Sequence, residues 1–194
     1  MSHPAPPAAD LAGRHVVVAV CGGISAYKTA ELVSRLVQRS AAVDVVMTAA
    51  ARKFITPLTF EALSGRPVRT GMFRLRDSSD PQHLALTEQA DALIVAPATA
   101  NIIAKAAAGI CDDLVSTMIC AAACPVVFCP AMNHRMWENP VTRRNVEALR
   151  AAGYRIVGPE EGWLACRHVG MGRMSEPATI LQVVEEILRG AGRS

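Results

Sequence analysis

Five short apolar runs, each followed by a stretch with helical spacing, constrain this chain more than any other feature. The runs are HVVVAVC, AVDVVMT, ADALIVAPATA, PVVFCPAMN and YRIVGP, and β-branched residues dominate them. Between them lie ISAYKTAELVSRLVQRS, the segment AARKFITPLTFEALSG interrupted near Pro57, the Ala-rich NIIAKAAAGICDDLVSTMICAAA, and NPVTRRNVEALRAAG, which stops at Gly153. PATILQVVEEILRG closes the series. Continuous rather than alternating apolar character marks strands covered on both faces, and strand–helix alternation makes them parallel. The expectation is a doubly wound α/β sheet in one domain over residues 14–190, behind a Pro/Ala-rich disordered leader at 1–13. The Ala-rich stretch reads as one long helix.

Such sheets bind ligands at the carboxyl ends of their strands. There the chain places Cys21-Gly22-Gly23-Ile24-Ser25, then Met47-Thr48, then Pro97-Ala98-Thr99-Ala100-Asn101, then Pro130-Ala131-Met132-Asn133. Small, hydroxylated and amide residues thus share one edge. CGGIS opening a helix suits a phosphate, because helix N-termini offer free N–H groups and a positive dipole end. It is neither GxGxxG nor GxxxxGK[ST], so the common dinucleotide and P-loop readings lose their warrant. Taken alone, it is as consistent with a tight glycine turn. Thr99 or Asn101 is placed to cap the following helix.

Composition excludes several classes. No apolar run reaches the ~18 residues of a membrane span, and the N-terminus lacks the pattern of a secretory signal. The expected location is the cytoplasm. Net charge is +3 and aromatic residues make up 4%, which argues against a nucleic-acid surface. With 51% hydrophobic residues, a covered sheet or a buried subunit interface is expected. Cys21, Cys111, Cys120, Cys124 and Cys129 sit in apolar surroundings and read as small core residues. No second pair at metal-ligand spacing accompanies Cys120 and Cys124, so no metal site is expected.

The joint pattern GGISAYK, VMT, FITPLTFEALSGRPV, His83 before an apolar strand, APATANIIAKAAAGICDDLVST and PAMNHRMW resembles the flavin-dependent cysteine decarboxylases, across residues 14–180. That family includes phosphopantothenoylcysteine decarboxylase and enzymes acting on peptides that end in cysteine. The resemblance implies a Rossmann-like, flavodoxin-like flavoprotein that binds FMN and assembles as a homotrimer or as a dodecamer of trimers. By motif position Gly23 and Ser25 would hold the phosphate end with Thr48 nearby. Pro97, Ala98, Thr99, Ala100 and Ala131 would border the flavin. The Ala-rich stretch would lie between subunits.

The implied chemistry removes two electrons at the cysteine side chain, so that a thioaldehyde β to the carboxylate lets carbon dioxide leave. His83 would be the base, since an imidazole titrates near ~6.5. Asn133 would bind the substrate carboxylate through its neutral amide, with Met132 shaping the pocket. LACRHVGMGRMSEP would be a flap over the substrate, with Cys166 as proton donor and Arg167 and Arg173 meeting the substrate. The flap departs from the coenzyme A branch pattern, which has Gly and Asp where Arg167 and His168 stand. Those changes, with a chain that stops at Ser194 and carries no ligase domain, tilt the expectation toward a cysteine-terminated peptide as substrate. Phosphopantothenoylcysteine is the alternative. A non-catalytic flavoprotein would be expected to lack His83 or Asn133, and both are present.

Overall fold

The computed structural model describes residues 11–72 and 82–190, apart from the side chains of 82–85. Five parallel strands form the main sheet: β1 (His15–Val20), β2 (Ala42–Met47), β3 (Ala92–Ala98), β4 (Val126–Pro130) and β5 (Arg155–Ile156). Their order is β2-β1-β3-β4-β5. The chain therefore steps outward from β1 to β2 and then crosses back to β3. This is the flavodoxin-like arrangement, in which a crevice opens between the ends of β1 and β3.

Side-chain alternation along each strand divides the core in two. Val16, Val18 and Val20 of β1 point to one face, while Val17, Ala19 and Cys21 point to the other. The first face is covered by α1 (Ala26–Gln38), α2 (Pro57–Ser64) and α8 (Pro177–Gly190). The second carries α3 (Gln82–Gln89), α4 (Ala100–Ala108), α5 (Leu114–Ala121), α6 (His134–Glu138) and α7 (Pro140–Ala151). Both faces are buried, which is why the strands read as unbroken apolar runs.

Several expectations are revised. The Ala-rich stretch is two helices: Gly109 adopts φ 68° and ends α4, and Asp113 restarts the chain as α5 in a capping box with Ser116. The fifth strand has only two paired residues, since Gly158 turns away at φ 83° and Pro159 has no N–H. Leu11, within the expected leader, is 2% exposed and donates its N–H to the Arg39 carbonyl at 3.0 Å. Residues 1–10 of that leader lie outside the described residues. Cys21 and Cys129 are buried as expected, Cys124 is half-buried, and Cys111 and Cys120 are exposed. Cys111 lies in the break between α4 and α5 and Cys120 near the C-terminal end of α5, where neither core covers them. Cys166 and the apolar flap residues belong to a feature the sequence did not announce as strand. It is an antiparallel hairpin, β6 (Glu160–Trp163) and β7 (Val169–Arg173).

At the opposite end of the sheet His15 and buried Asp44 form a largely covered pair, Nε2 to Oδ2 at 2.6 Å, with Arg66 at 2.9 Å and Arg69 at 3.4 Å from the same carboxylate. The hydrogen bond to Asp44 raises the His15 pKa above its ordinary 6.5 against the opposing effect of burial. A raised folded-state pKa gives stability that is present below about 6.5 and is lost as pH rises through the folded value. His15→Gln should therefore lower Tm more at pH 6 than at pH 9. An equal loss at both pH values would show that the imidazolium contributes nothing.

Candidate functional site

The residues after β1, β3 and β4, together with the hairpin, enclose a cavity of about 910 Å³ at the crevice between β1 and β3. That volume lies in the range of small-molecule and cofactor sites. Its first wall is the β1–α1 turn. The Cys21 carbonyl accepts the Gly23 N–H and the Gly23 carbonyl accepts the Ala26 N–H, both at 3.0 Å. Gly22 is needed for close approach: a Cβ there would lie 2.4 Å from the Cβ of Ala50 and 2.9 Å from its backbone carbon. Ser25 occupies the cap position of α1, yet its hydroxyl makes no capping hydrogen bond, and the first turn carries no acidic residue. Thr48 lies across this turn. Its N–H donates to the Val20 carbonyl at 3.0 Å and its hydroxyl accepts the Ala51 N–H at 3.1 Å.

The second wall follows β3. Thr99 caps α4 by accepting the Ile102 N–H at 3.4 Å, and Thr99, Ala100, Asn101 and Ile102 line the cavity. Pro97 and Ala98 do not reach the lining. They are still within β3 and buried, and the Ala98 carbonyl accepts the Ala131 N–H from β4 at 3.0 Å. Pro97 instead packs behind the glycine turn, 3.5 Å from where a Gly23 Cβ would stand.

The third wall is Ala131-Met132-Asn133. Asn133 caps α6, its Oδ1 accepting the Arg135 N–H at 2.9 Å. The carbonyl oxygen of the amide is thereby committed and its NH₂ group is left to donate.

The hairpin forms the cover. Trp163, Leu164, Ala165, Cys166, Gly172 and Arg173 line the cavity from it, and the Cys166 thiol is exposed. It is held down through Gly172, whose carbonyl accepts the Met132 N–H at 2.9 Å. Gly172 has φ 142°, and a Cβ there would fall 2.2 Å from the Met132 carbonyl oxygen. Gly172→Ala must move the cover by about 1 Å, a displacement that costs on the order of 100-fold in rate. Assays of kcat/KM alongside circular dichroism would check this, and unchanged kcat/KM would show that the hairpin does not position the site. Arg167 and His168 stand at the exposed tip, outside the lining. His83 lies in the first turn of α3, and its side chain is outside the described residues.

Two lysines of the lining escaped the sequence reading. Lys28 is 7% exposed and donates to the Met174 carbonyl at 3.2 Å and to Glu176 at 3.0 Å, and Arg173 binds the same Glu176 carboxylate oxygen. Lys105 bonds Asp112 at 2.6 Å and Asp113 at 2.8 Å. Those hydrogen bonds, Asp112 first, raise its pKa and keep it charged. Burial opposes ionisation of Asp113, but the bonds from Lys105 and Ser116 prevail and lower its pKa. The only sequence signal was a lysine within an otherwise apolar helix face. Cys21 also lines the cavity, but complete burial pushes its thiol far above the ordinary range, so it stays protonated. No group of three or more His, Cys, Asp or Glu able to hold a metal exists among the described residues. None of the described helices is long and apolar enough to cross a membrane.

A phosphate-compatible helix start beside a largely apolar slot on a doubly wound sheet defines a flavoprotein class of site. The flavoprotein family model matches residues 5–189, and the chain belongs to that family. It is 46% identical over 176 residues to the coenzyme A biosynthesis bifunctional protein CoaBC of Bacillus subtilis (strain 168), covering 91% of this chain and 43% of that protein. The CoaBC of Escherichia coli (strain K12) is 47% identical over 174 residues, covering 90% and 43%. The chain thus spans less than half the length of these curated relatives. Among solved structures, the FMN-dependent cysteine decarboxylase SpaF superposes with a TM-score of 0.81 at 34% identity, covering 93% of this chain and 98% of that one. A cysteine-to-serine mutant of PPC decarboxylase complexed with pantothenoylaminoethenethiol gives 0.82 at 30% identity, covering 91% and 98%.

Proposed function

We propose that the chain is an FMN-dependent cysteine decarboxylase whose substrate is phosphopantothenoylcysteine. The observation that carries the chemistry is the cavity itself, which joins an uncommitted Ser25 hydroxyl at a helix start to the Asn133 amide beneath a cysteine-bearing cover. The choice of substrate rests on the CoaBC likeness and on the cysteine at 166, and it reverses the tilt toward a peptide that the flap departures suggested.

The residues fit the cofactor. Gly22, Gly23 and Ser25 with the N-terminus of α1 would hold the phosphate of FMN, beside Thr48. Ala100, Ile102, Ala131 and Met132 would border its ring, with Thr99 at the edge. Pro97 and Ala98 support that wall from below. When bound, FMN supplies reversible two-electron chemistry. Asn133 holds the substrate carboxylate by donating from its NH₂ group, which carries no charge that would trap the departing carbon dioxide. His83 takes the thiol proton. Cys166 returns a proton to the enethiol carbon from above the cavity, and the hairpin excludes water. Arg173 stays anchored on Glu176 at the cavity wall. The break between α4 and α5, with exposed Ile110 and Cys111, together with exposed Cys120 at the end of α5, is suited to a subunit contact in a trimer or a dodecamer of trimers. A reducing, cytoplasmic setting suits these free thiols.

The test is carbon dioxide release by the FMN-loaded protein supplied separately with phosphopantothenoylcysteine and with a short peptide ending in cysteine. Release from the first alone supports the proposal. Release from the peptide alone would move the enzyme to the peptide branch, and release from neither would remove the activity.

A further inference from the structure

The tip of the hairpin carries an arginine where the backbone favours glycine. Residues Leu164 to Arg167 form a turn closed by the Arg167 N–H to the Leu164 carbonyl at 2.9 Å, and the Leu164 N–H returns to the His168 carbonyl at 2.9 Å. Arg167 adopts φ 63°, the left-handed conformation that this hairpin turn requires. A Cβ there crowds the following carbonyl oxygen, so the conformation is disfavoured for arginine relative to glycine. Backbone strain of this kind is a pointer to function when the side chain has no structural task. Arg167 has none: it is exposed and makes no hydrogen bond or ion pair through its guanidinium with any described residue.

Its surroundings are basic. Beside the tip α6 begins with His134-Arg135. The His168 ring meets the His134 ring edge-on, with centroids 6.2 Å apart and planes at 67°. Gly170 sits against the same residue, its Cβ position 3.2 Å from the Cβ of His134, so the tip rests on the start of α6. The Arg135 guanidinium is also without a partner among the described residues, and His134 Nδ1 is buried and unbonded. The acids nearby are placed elsewhere. Glu160 and Glu161 stand at the far end of β6, Glu138 at the far end of α6, and Glu176 is taken by Lys28 and Arg173. Two guanidinium groups without a carboxylate partner among the described residues therefore stand beside the cavity lining, Arg167 next to Cys166 and Arg135 between Asn133 and Met136.

We infer that Arg167, seconded by Arg135, binds a phosphate monoester on the part of the substrate that projects from the cavity. The inference rests on the proposed function: with the cysteine end held at Asn133, the phosphate of phosphopantothenoylcysteine lies at the opposite end of the molecule and leaves by the mouth. A guanidinium meets phosphate oxygens with two parallel N–H donors. A peptide ending in cysteine has no such group at a fixed distance, so the same pair selects against it. The strained arginine thus serves as a specificity determinant for the phosphorylated substrate.

The test compares kcat/KM of the FMN-loaded enzyme on phosphopantothenoylcysteine and on pantothenoylcysteine, which lacks only the phosphate. The wild type should prefer the phosphorylated substrate by on the order of 10-fold to 100-fold, the usual worth of a hydrogen-bonded charge. Arg167→Gly suits the left-handed backbone and so keeps the turn, and it should reduce that preference about tenfold. Taking the ratio of the two substrates cancels any general effect of the variant on the cover. Arg167→Lys, with its point charge, should fall between. An undiminished preference in Arg167→Gly overturns the inference. Equal turnover of both substrates by the wild type overturns it too, while leaving the proposed function standing. Turnover of neither, with turnover of a cysteine-ended peptide, removes both.

Discussion

Replacing Asn133 by Asp is expected to lower kcat/KM by about 100-fold to 1,000-fold, as loss of an aimed donor does in other active sites, while leaving Tm unchanged. The two effects separate because Asn133 has two tasks. Its Oδ1 accepts the Arg135 N–H at 2.9 Å and starts α6, and a carboxylate oxygen would do the same, since Asp and Asn are equivalent caps. Its NH₂ group is the one that would meet the substrate, and Asp substitutes a negative charge for it. The variant should bind FMN normally, because the phosphate-compatible turn at Gly22, Gly23 and Ser25 is on another wall. Steady-state kinetics, the flavin absorbance spectrum and a melting curve check the three parts. Full activity would remove Asn133 from substrate binding. A large fall in Tm would show that its task is structural.

His83→Asn should have the other large effect, a fall of about 100-fold to 10,000-fold in kcat, the span associated with loss of a general base. His83 lies in the first turn of α3, whose Leu86 and Thr87 are buried and which packs against α5 and β1. Asn keeps a polar side chain of moderate size at a helix start and removes only the titratable nitrogen. Retained flavin binding with lost carbon dioxide release is the expected pair of results. Unimpaired release would assign the proton transfer to another group.

The sheet was legible because its strands are buried on both faces, so β-branched runs such as HVVVAV could hardly be anything else. The ligand edge followed from topology once the strands were known, and Gly23, Ser25, Thr48, Thr99, Ala131 and Asn133 do meet around one cavity. What stayed hidden depended on contacts distant in sequence. The hairpin has glycines and exposed residues in place of an alternating pattern. It is strand because β6 and β7 pair and because Gly172 docks on Met132. Pro97 and Ala98 belong to the same motif as Thr99, yet the strand ends only after them, so two of its residues face the core. The burial of Lys28 could not be read locally, because its partners Met174 and Glu176 lie 146 and 148 positions away. The break in the Ala-rich helix was written in Gly109 and Asp113, and high alanine content obscured it.

The most direct measurement is the mass of the product formed from phosphopantothenoylcysteine by the FMN-loaded enzyme. A product lighter by about 44 Da, the mass of carbon dioxide alone, is predicted, since the electrons removed to permit decarboxylation are returned to the same molecule. Unchanged phosphopantothenoylcysteine, with a cysteine-ended peptide lighter by about 46 Da for carbon dioxide and two hydrogens, would contradict the account and place the enzyme among those that leave an enethiol.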